Sequence, residues 1–458
     1  MQAETNGHDV TTMSETPSLP VSYVPTPTSQ YRQHRKTMKA TVEPAAPAAP
    51  IPIPIPIPLP VGARALIWKQ DPSVAEIGIR KVFLPGVILP GPRDARIIAQ
   101  GLAAVSPNAL GDYITTPGTE AFDAVHTFAV VRQTLSMYQR ATGSQLPWQW
   151  NSGGNTDPLN VFPHGLPNTM NAFYSRAQKA LKFGDFIPTG TPPPPRAFTC
   201  RSLDIVSHEC GHAILDGLQP QWILLGQPPQ TGGLHESFGD LTAIFLTLSQ
   251  LDQVEAVIAQ TRANLHEKTF LADLAEQFGL ALGRPNGLRN ADNDFTLSQV
   301  GNEVHAISQV FTGAVYDILA DIFAHERNPA NKDDASVLYT VGQYLCSLVL
   351  RAIMQAPNTN ATFADVANKM LQIAAADGKP VQYRNFIRNR FTVREVVVSP
   401  TPLTEDHRAG VALAPVKQDA DSADQNRSAC CGTMQNPEYT GGYDAMEREL
   451  AALKAAWS

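Results

Sequence analysis

Apolar residues recur at three-to-four spacing along much of the later part of the chain, which is the pattern of an amphipathic helix. This spacing predicts helices over residues 267–281, 303–325, 335–355, 362–376 and 381–390. An earlier helix is expected from Thr119, whose side chain can cap the first turn, to Thr142, where Gly143 ends it. The later part of the chain is therefore expected to be almost wholly helical.

Shorter runs with β-branched and aromatic residues come earlier in the chain. Within residues 63–115, segments such as Ala65-Leu-Ile-Trp and Lys81-Val-Phe-Leu are separated by Pro-Gly turns and indicate a short β-rich region. Further strands are expected in parts of 158–187. Strands followed by many helices predict an α+β fold.

The two ends of the chain differ from the rest in composition. Residues 1–62 are polar and then proline-rich, ending in the alternation Ile51-Pro-Ile-Pro-Ile-Pro-Ile-Pro, which predicts a disordered, polyproline-like arm. A spacer is the favoured interpretation of this arm, and docking in a groove of this chain or of a partner is the alternative. Residues 398–458 predict a flexible tail with one short amphipathic helix near 443–457.

One segment carries the residues of a metal site. The stretch His208-Glu209-Cys-Gly-His212 places two imidazoles four residues apart, so on a helix both lie on one face and can reach a single ion. Glu236 heads a second apolar run and can supply a third ligand, which leaves the fourth position of a zinc ion to water. Glu209 would then be the base, and Asp240, one turn beyond Glu236, could accept the second ring N–H of a ligating histidine.

These residues resemble those of the thermolysin-like gluzincin zinc metallopeptidases, and the resemblance covers about residues 115–395. The segments Asn171-Ala-Phe-Tyr and Phe183-Gly-Asp are similar to that family's edge strand, which binds the substrate backbone in an extended conformation. Gly301-Asn-Glu-Val-His is similar to the family segment whose histidine stabilises the tetrahedral intermediate. All these segments follow one another in the order found in the family.

The resemblance implies a zinc-dependent endopeptidase that acts on peptides or proteins and holds one zinc ion per chain. In this chain the implied zinc ligands are His208, His212 and Glu236. Glu209 is the implied general base, and His305 is the implied electrophilic partner of the developing oxyanion.

Other residues are implied to support the zinc ligands or to bind the substrate. Asp240 and His235 are the implied supports, although plain solvent exposure of His235 stays open. The implied substrate-binding residues are Asn171, Ala172, Phe173, Arg289, Ile205 and Leu288. Ile205 and Leu288 match positions that line the family's primary pocket, so an apolar side chain is expected just after the cleaved bond.

The resemblance also implies a two-lobed architecture with the zinc ion in the cleft. Residues 116–235 would form an upper catalytic lobe that contains the edge strand and the zinc helix, and residues 236–397 a helical lower lobe. Ligand sites tend to form between such units.

The chain departs from the family pattern at two positions of the site. The acidic residue expected just before His305, to orient it, is replaced by Val300. The residues that could substitute are Asp292, Asp294 and Glu303. The tyrosine expected after the second zinc histidine is also absent, because that stretch reads Gln221-Trp-Ile. The resemblance therefore leaves one of the family's oxyanion donors without a match in this chain.

Composition limits the partners and the compartment. A chain of 458 residues with 43% hydrophobic residues can bury a large core, and two or more domains are expected. The net charge of −7 gives no basic footprint, so nucleic acid is not an expected partner. Neither a run of about 18 apolar residues nor a signal peptide is found, which makes the cytoplasm the default expectation and leaves non-classical export open. The odd number and scattered positions of the five cysteines do not indicate a disulfide framework.

Two alternatives to a general endopeptidase stay open. A narrow processing peptidase would act on one partner or on the chain itself. A catalytically weakened gluzincin-fold protein would bind rather than cleave, and the missing tyrosine favours it. The intact Glu209 argues against that second alternative. Neither the physiological substrate nor the oligomeric state follows from the sequence.

The sequence also generates a prediction about calcium, which is not expected as a cofactor. The family's calcium cluster needs several carboxylates, because calcium takes six to eight oxygen ligands. Asp204 is present one turn before His208, but Thr247 stands where the next acid is expected. Asp204 is instead expected to cap or hydrogen-bond within its own helix region. The melting temperature in EGTA and in millimolar calcium, at fixed zinc, should therefore be the same, and a rise of several degrees with calcium would contradict this.

Overall fold

The computed structural model describes residues 61–188, 192, 194–284 and 287–396. The helices are α1 (Glu120–Thr142), α2 (Leu203–Leu218), α3 (Pro229–Leu248), α4 (Leu251–Thr261), α5 (Glu276–Ala281), α6 (Val304–Glu326), α7 (Asp334–Met354), α8 (Phe363–Ala376) and α9 (Val381–Val393). The strands are β1 (Gly62–Trp68), β2 (Ile79–Pro85), β3 (Ile97–Ala99), β4 (Leu159–Leu166), β5 (Ala172–Ser175), β6 (Ala180–Phe186), β7 (Ala197–Phe198), β8 (Asp273–Leu274) and β9 (Arg289–Asn290). This mixture confirms the α+β prediction.

The principal sheet lies in the first half of the described chain. Its strand order is β3-β4-β6-β5, with β7 also paired to β6. The β3–β4 and β4–β6 pairs are parallel, and β5 runs antiparallel to β6, with Ala172 opposite Phe183. Strand β5 therefore lies at the end of the strand order. An antiparallel hairpin of β1 and β2 and the short pair β8–β9 stand apart from this sheet.

Helices α2, α3 and α6 form the centre of the packing. Helix α3 contacts both α2 and α6, and most of its side chains are buried. Helices α7, α8 and α9 pack around this group, and α1 packs between α2 and the β1–β2 hairpin. Because neighbouring elements cover α3 on several sides, this helix is expected to be apolar around most of its circumference.

Among the residues that the structure describes, two helices are long and apolar enough, by length and composition alone, to cross a membrane. They are α6 and α7, and 83% and 61% of their apolar windows are buried inside the protein. The bent pair α3 and α4 passes the same test together, with an angle of 94° between the two helices. Packing against neighbouring helices covers most of the apolar surface of α6.

Most predicted helices are found close to their expected limits. Thr119 caps α1 by accepting a hydrogen bond from the Phe122 N–H, and Gly143 ends the helix in the left-handed conformation, at φ 67°. The predicted helix over 267–281 is wrong for its first part. Residues 273–274 form β8 instead, because the Leu274 carbonyl accepts a hydrogen bond from the Leu288 N–H at 2.8 Å. Helix α4 was not predicted.

Several predictions stay untested by this structure. The arm of residues 1–62 and the tail of 398–458 fall almost wholly outside the described residues. The division into lobes at 235/236 stays a prediction, and that boundary falls inside α3, which begins at Pro229.

Two glycines allow α2 and α3 to approach each other closely. A Cβ added at Gly211 on α2 would lie 2.6 Å from the Thr242 Oγ1 and 3.3 Å from the Cα of Gly239 on α3. A Cβ added at Gly239 would lie 2.6 Å from the Cε1 of His208. Thr242 is itself held, at 2.8 Å, by the hydroxyl of Tyr138 on α1. Any side chain at Gly239 must therefore displace the His208 ring or separate the helices.

The variant Gly239→Ala tests this close approach. In an unconstrained helix, glycine to alanine stabilises by about 0.5–1 kcal/mol. Here the new methyl would overlap the His208 ring, so we expect the free energy of unfolding in urea to fall by about 1–3 kcal/mol. An increase in the free energy of unfolding would show that the helices tolerate a side chain at this crossing.

Candidate metal centre

Helix α2 carries three chemically active side chains, His208, Glu209 and His212, within two successive turns. His208 and His212 lie one turn apart, and their ring centroids are 4.6 Å apart at an angle of 86°. His208 is 4% exposed, and His212 and Glu209 are fully buried. The spacing of four residues along a helix accounts for the shared direction of the two imidazoles.

Helix α3 brings a carboxylate to these two rings. One oxygen of Glu236, Oε2, lies 3.4 Å from the Nε2 of His208, and the other, Oε1, lies 3.6 Å from the Nε2 of His212. One donor atom from each of the three residues lies within 4.8 Å of the others, so the group could hold a metal ion. Burial alone would raise the pKa of Glu236, but the nearby charges of His305 and His208 outweigh it and hold that pKa below its ordinary value.

Acidic neighbours determine the pKa of His208. Burial lowers the pKa of His208, but hydrogen bonds and charges from Asp240 and Glu236 raise it to about 9. A metal ion binds the neutral imidazole and must displace that proton. Metal affinity is therefore expected to fall as the solution becomes more acidic.

Asp240 joins the first metal-site histidine to an arginine. The Nδ1 of His208 lies 3.0 Å from one carboxylate oxygen of Asp240. Arg289 donates to both oxygens of the same carboxylate, from Nε at 2.8 Å and from a terminal nitrogen at 2.5 Å. Burial would raise the pKa of Asp240, but Arg289 and His208 hold it well below its usual range. An ionised Asp240 fixes the His208 ring with its Nε2 toward Glu236.

His235 holds the second metal-site histidine. Its Nδ1 lies 2.7 Å from the Nδ1 of His212, and the ring is fully buried, so the alternative of plain exposure is wrong. Burial lowers the pKa of His235 to about 3, and the ring is neutral at ordinary pH. A neutral His235 can accept the Nδ1–H of His212. In that tautomer the Nε2 lone pair of His212 faces Glu236.

His305 lies at the start of α6 and faces the same carboxylate. Its Nε2 is 3.4 Å from the Oε2 of Glu236, and its Nδ1 is 2.6 Å from the Oε1 of Glu303. Among the three acids considered from the sequence, Glu303 is the one that contacts this histidine. Burial lowers the pKa of His305, but the charges of Glu236 and Glu303 raise it to about 10. The two carboxylates therefore favour the protonated form of His305, which can donate hydrogen bonds from both ring nitrogens.

A small cavity lies beside Glu209. It is lined by Asp204, Ile205, His208, Glu209, Asp240, Ala243, Leu274, Ala275 and Arg289. The structure thus brings two of the predicted substrate-binding residues, Ile205 and Arg289, to the candidate centre. Leu288 is buried but is not part of this lining.

The predicted edge strand lies against α2. Residues Ala172 and Phe173 belong to β5, and Asn171 directly precedes it; all three are buried. The next residue, Tyr174, donates its hydroxyl to Asp216 of α2 at 2.6 Å. Neither β5 nor Asn171 lines the cavity beside Glu209.

The stretch where the family has a tyrosine serves the core in this chain. Trp222 is fully buried, and its ring nitrogen donates to the carbonyl of Pro357 at 2.9 Å. That nitrogen is therefore already committed to a backbone acceptor.

Sequence reasoning missed a group of buried carboxyls beside the site. The Oδ2 of Asp204 accepts from the Ala275 N–H at 3.3 Å, so the expectation that Asp204 bonds within its own helix region is wrong. Asp71 accepts from the Gln277 N–H at 3.2 Å, and Glu276 lies between these two contacts along the chain. Burial raises the pKa of Asp71 above its ordinary value. Burial and neighbouring negative charges together raise the pKa values of Asp204 and Glu276. The prediction that calcium is not a cofactor considered Asp204 as a possible carboxylate ligand and did not consider Asp71 or Glu276.

Comparison with known proteins gives little beyond this geometry. No protein-family model matches the chain, and no curated protein matches it. One solved structure that it resembles is the precursor of protealysin, a metalloproteinase from Serratia proteamaculans. The sequence identity is 16% and the TM-score is 0.43, and the match covers 68% of this chain and 88% of that chain. At this level the likeness carries no argument about function, which is drawn from the residues alone.

The buried carboxyls generate a prediction about stability and pH. Burial and the neighbouring Asp71 raise the pKa of Asp204 from 3.8 to about 8, so between these values the folded protein binds more protons than the unfolded chain. The free energy of unfolding should then fall as pH rises through this window. Asp204→Asn cannot ionise and should remove part of that fall, on the order of 1 kcal/mol between pH 6 and 8.5.

Urea unfolding of the wild type and the variant at both pH values measures this difference. The control is Glu255→Gln, which changes an exposed carboxylate and should leave the pH dependence as it is. An equal pH dependence in the wild type and in Asp204→Asn would show that Asp204 is ionised in the folded protein.

Proposed function

We propose that this protein is a zinc-dependent endopeptidase in which His208, His212 and Glu236 hold the zinc ion. The observation that carries the proposal is the convergence of these three donors, at separations of 3.4 and 3.6 Å, beside the buried Glu209. Ligands at about 2.0–2.2 Å from a tetrahedral zinc ion lie roughly 3.3–3.6 Å apart. The two separations join the two imidazoles to different oxygens of Glu236, so the carboxylate reaches both rings at about the spacing that this metal needs. Three protein ligands leave a fourth position for water, as in catalytic zinc sites.

Each residue has a separate task in the proposed reaction. When bound, zinc polarises the scissile carbonyl and lowers the pKa of water. Glu209 takes the proton from the attacking water and passes it to the leaving amine. His305 donates a hydrogen bond to the oxygen on which negative charge develops. Glu303 keeps His305 protonated and oriented for that task.

The supporting residues keep the ligands in their metal-binding forms. Asp240 accepts from the Nδ1 of His208, and His235 accepts from the Nδ1 of His212, which leaves each Nε2 for the ion. Partners of this kind fix the ring orientation and tautomer of metal-bound histidines. In other metalloproteins, mutation of such partners lowers metal affinity or activity by about 10–100-fold.

Peptides are the proposed substrates. The segment Asn171-Ala-Phe-Tyr, which resembles the family's substrate-binding strand, leads into β5 of the principal sheet, and extended peptides bind to strands through backbone hydrogen bonds. Ile205 gives the cavity beside Glu209 an apolar wall, which supports a preference for an apolar side chain just after the cleaved bond. Arg289 would bind the peptide carbonyl that follows the scissile bond, while its guanidinium group remains paired with Asp240.

A catalytically weakened binding protein is the alternative. Its support is the commitment of Trp222 to Pro357, which leaves that stretch without the family's oxyanion donor. The contact between Glu303 and His305 opposes it, because the remaining donor keeps an acidic partner. A narrow processing peptidase would share the chemistry proposed above and differ only in substrate range.

The variant Glu209→Gln tests the proposed role of the base. It should lower the rate of peptide hydrolysis by about 10²–10⁴-fold, since the amide cannot accept the proton. Its zinc content should equal that of the wild type, because Glu209 is not a ligand. Peptide-library cleavage and metal analysis on the same preparation measure both quantities.

The matched control is Glu236→Gln, the same chemical change at a ligand. It should lose both activity and one equivalent of zinc. If Glu209→Gln lost zinc as well, the division between base and ligand would be wrong. If the wild type cleaved no peptide with zinc bound, the binding-protein alternative would be favoured.

A further inference from the structure

A groove of about 460 Å³ lies beside α7, where this helix meets the end of α6 and the start of α9. Its floor is apolar and consists of Val337 and Val341 on α7 and of the rings of Tyr344 and Tyr383, whose centroids are 5.7 Å apart, edge to face. Helix α7 is buried over 61% of its apolar window, against 83% for α6, so part of its apolar surface is left to the groove. None of the lining residues belongs to the candidate metal centre.

One positive charge at the groove has no carboxylate partner. The ammonium group of Lys379 lies 4.2 Å from the centre of the Tyr344 ring and, within the described part of the chain, forms no ion pair. The other charged residues at the groove are engaged, because Lys332 lies 3.5 Å from Glu326 and Asp333 caps the first turn of α7. The groove therefore suits an occupant that is apolar and carries a negative charge.

The tail of the chain contains a segment with these properties. In 443–457, which lies outside the described residues, Met446, Leu450, Leu453 and Trp457 are spaced four, three and four residues apart. On the amphipathic helix that the sequence predicts there, these four side chains lie on one face. Amphipathic helices bind by laying such a face into an apolar groove, with anchoring side chains at this spacing. The same chain can therefore supply an apolar occupant.

The charges of this segment complement those of the groove. Its first half carries three acids, Asp444, Glu447 and Glu449, and one base. Acids in the first turns of a helix also interact favourably with the helix dipole. On the groove side, Asp377 is an acid whose charge acts together with that of Lys379, but an arginine of α7 already holds it at 2.9 Å. An acid of the tail segment can therefore pair with Lys379.

The length of the connecting chain brings the segment within reach of the groove. Residues 397–442, a connection of 46 residues, join the end of the described chain to the segment. A random coil of that length spans about 40 Å on average. Tyr383 lies on α9, and the distance along this helix from Tyr383 to Val393 is about 15 Å. A connection of this kind gives the segment a local concentration on the order of millimolar, which favours it over a separate chain at micromolar concentration.

We propose that the segment 443–457 docks as a helix in the groove beside α7 of its own chain. Its apolar face covers the two valines and the two tyrosines of the floor, and its acidic first half lies beside Lys379. Docking removes both apolar surfaces from water, which is the main source of stability for such contacts. The contact ties the tail to α7 and α9, and it uses no residue of the proposed peptidase centre.

Amide hydrogen exchange of the full chain, measured by mass spectrometry on the fragments that cover 443–457, tests the docking from the side of the tail. These amides should exchange about 10-fold more slowly in the wild type than in Leu450→Asp, which places a charge on the apolar face. The matched control is Ala452→Asp, which adds the same acid to the same helix away from that face. It should keep the slow exchange of the wild type.

The same measurement tests the docking from the side of the groove. Thr340 is an exposed residue of α7 that lines the groove, so Thr340→Glu narrows the groove and adds a charge that repels the acidic half of the segment. This variant should speed exchange in 443–457 about as much as Leu450→Asp does, although the tail itself is unchanged. The matched control is Gln372→Glu, which adds a glutamate at an exposed position of α8 outside the groove and should have no effect.

Three results would overturn the proposal. Equally fast exchange of 443–457 in the wild type and in Leu450→Asp would show that the segment is not docked. Equally slow exchange in the wild type and in Thr340→Glu would show that the segment is protected without the groove. Protection of the wild type that grew with protein concentration in the micromolar range would place the segment in the groove of a second copy. None of these results depends on zinc or on peptide cleavage, so the proposed peptidase activity stands or falls separately.

Discussion

The close crossing of α2 and α3 is the constraint on which the candidate centre depends. The two histidines come from one helix and the carboxylate from the other, so the donors meet only if the backbones approach within a side chain's width. Gly211 and Gly239 permit that approach, and the His208 ring fills the space that a Cβ at Gly239 would need. The packing of the core and the geometry of the site are therefore one arrangement, and a single methyl group can alter both.

A series of buried charged residues extends from the α2–α3 crossing to His305 at the start of α6. Asp240 connects His208 to Arg289, and Glu303 connects to His305, whose ring faces Glu236. Each of these buried residues lies beside a group of opposite charge, which is the condition for keeping ionised groups out of water. The loop between Arg289 and Glu303 carries both connections, and Arg394 anchors it to α6. Movement of that loop would disturb both the support of His208 and the position of His305.

Local spacing carried most of what the sequence could predict. The two histidines on one helix face, the Thr119 cap and the Gly143 stop of α1 all depend on residues within a few positions of each other, and the structure has them as expected. Contacts between segments far apart in the sequence were harder to predict. Asp204 meets Ala275, 71 residues away, and Gln277 reaches Asp71 across 206 residues, so the group of buried carboxyls left no local signal. The helix predicted over 267–281 is wrong in its first part for a related reason. The residues of β8 pair with β9, and this pairing outweighs the helical spacing of their sequence.

Diffraction at the zinc absorption edge from crystals grown with zinc tests the central claim most directly. The account predicts an anomalous peak about 2.0–2.2 Å from the Nε2 atoms of His208 and His212 and from the carboxylate of Glu236, with water in the fourth position. Glu209 should lie outside the coordination sphere, within hydrogen-bonding distance of that water. A peak absent from this position, or a fourth position closed by His305, would contradict a catalytic zinc centre.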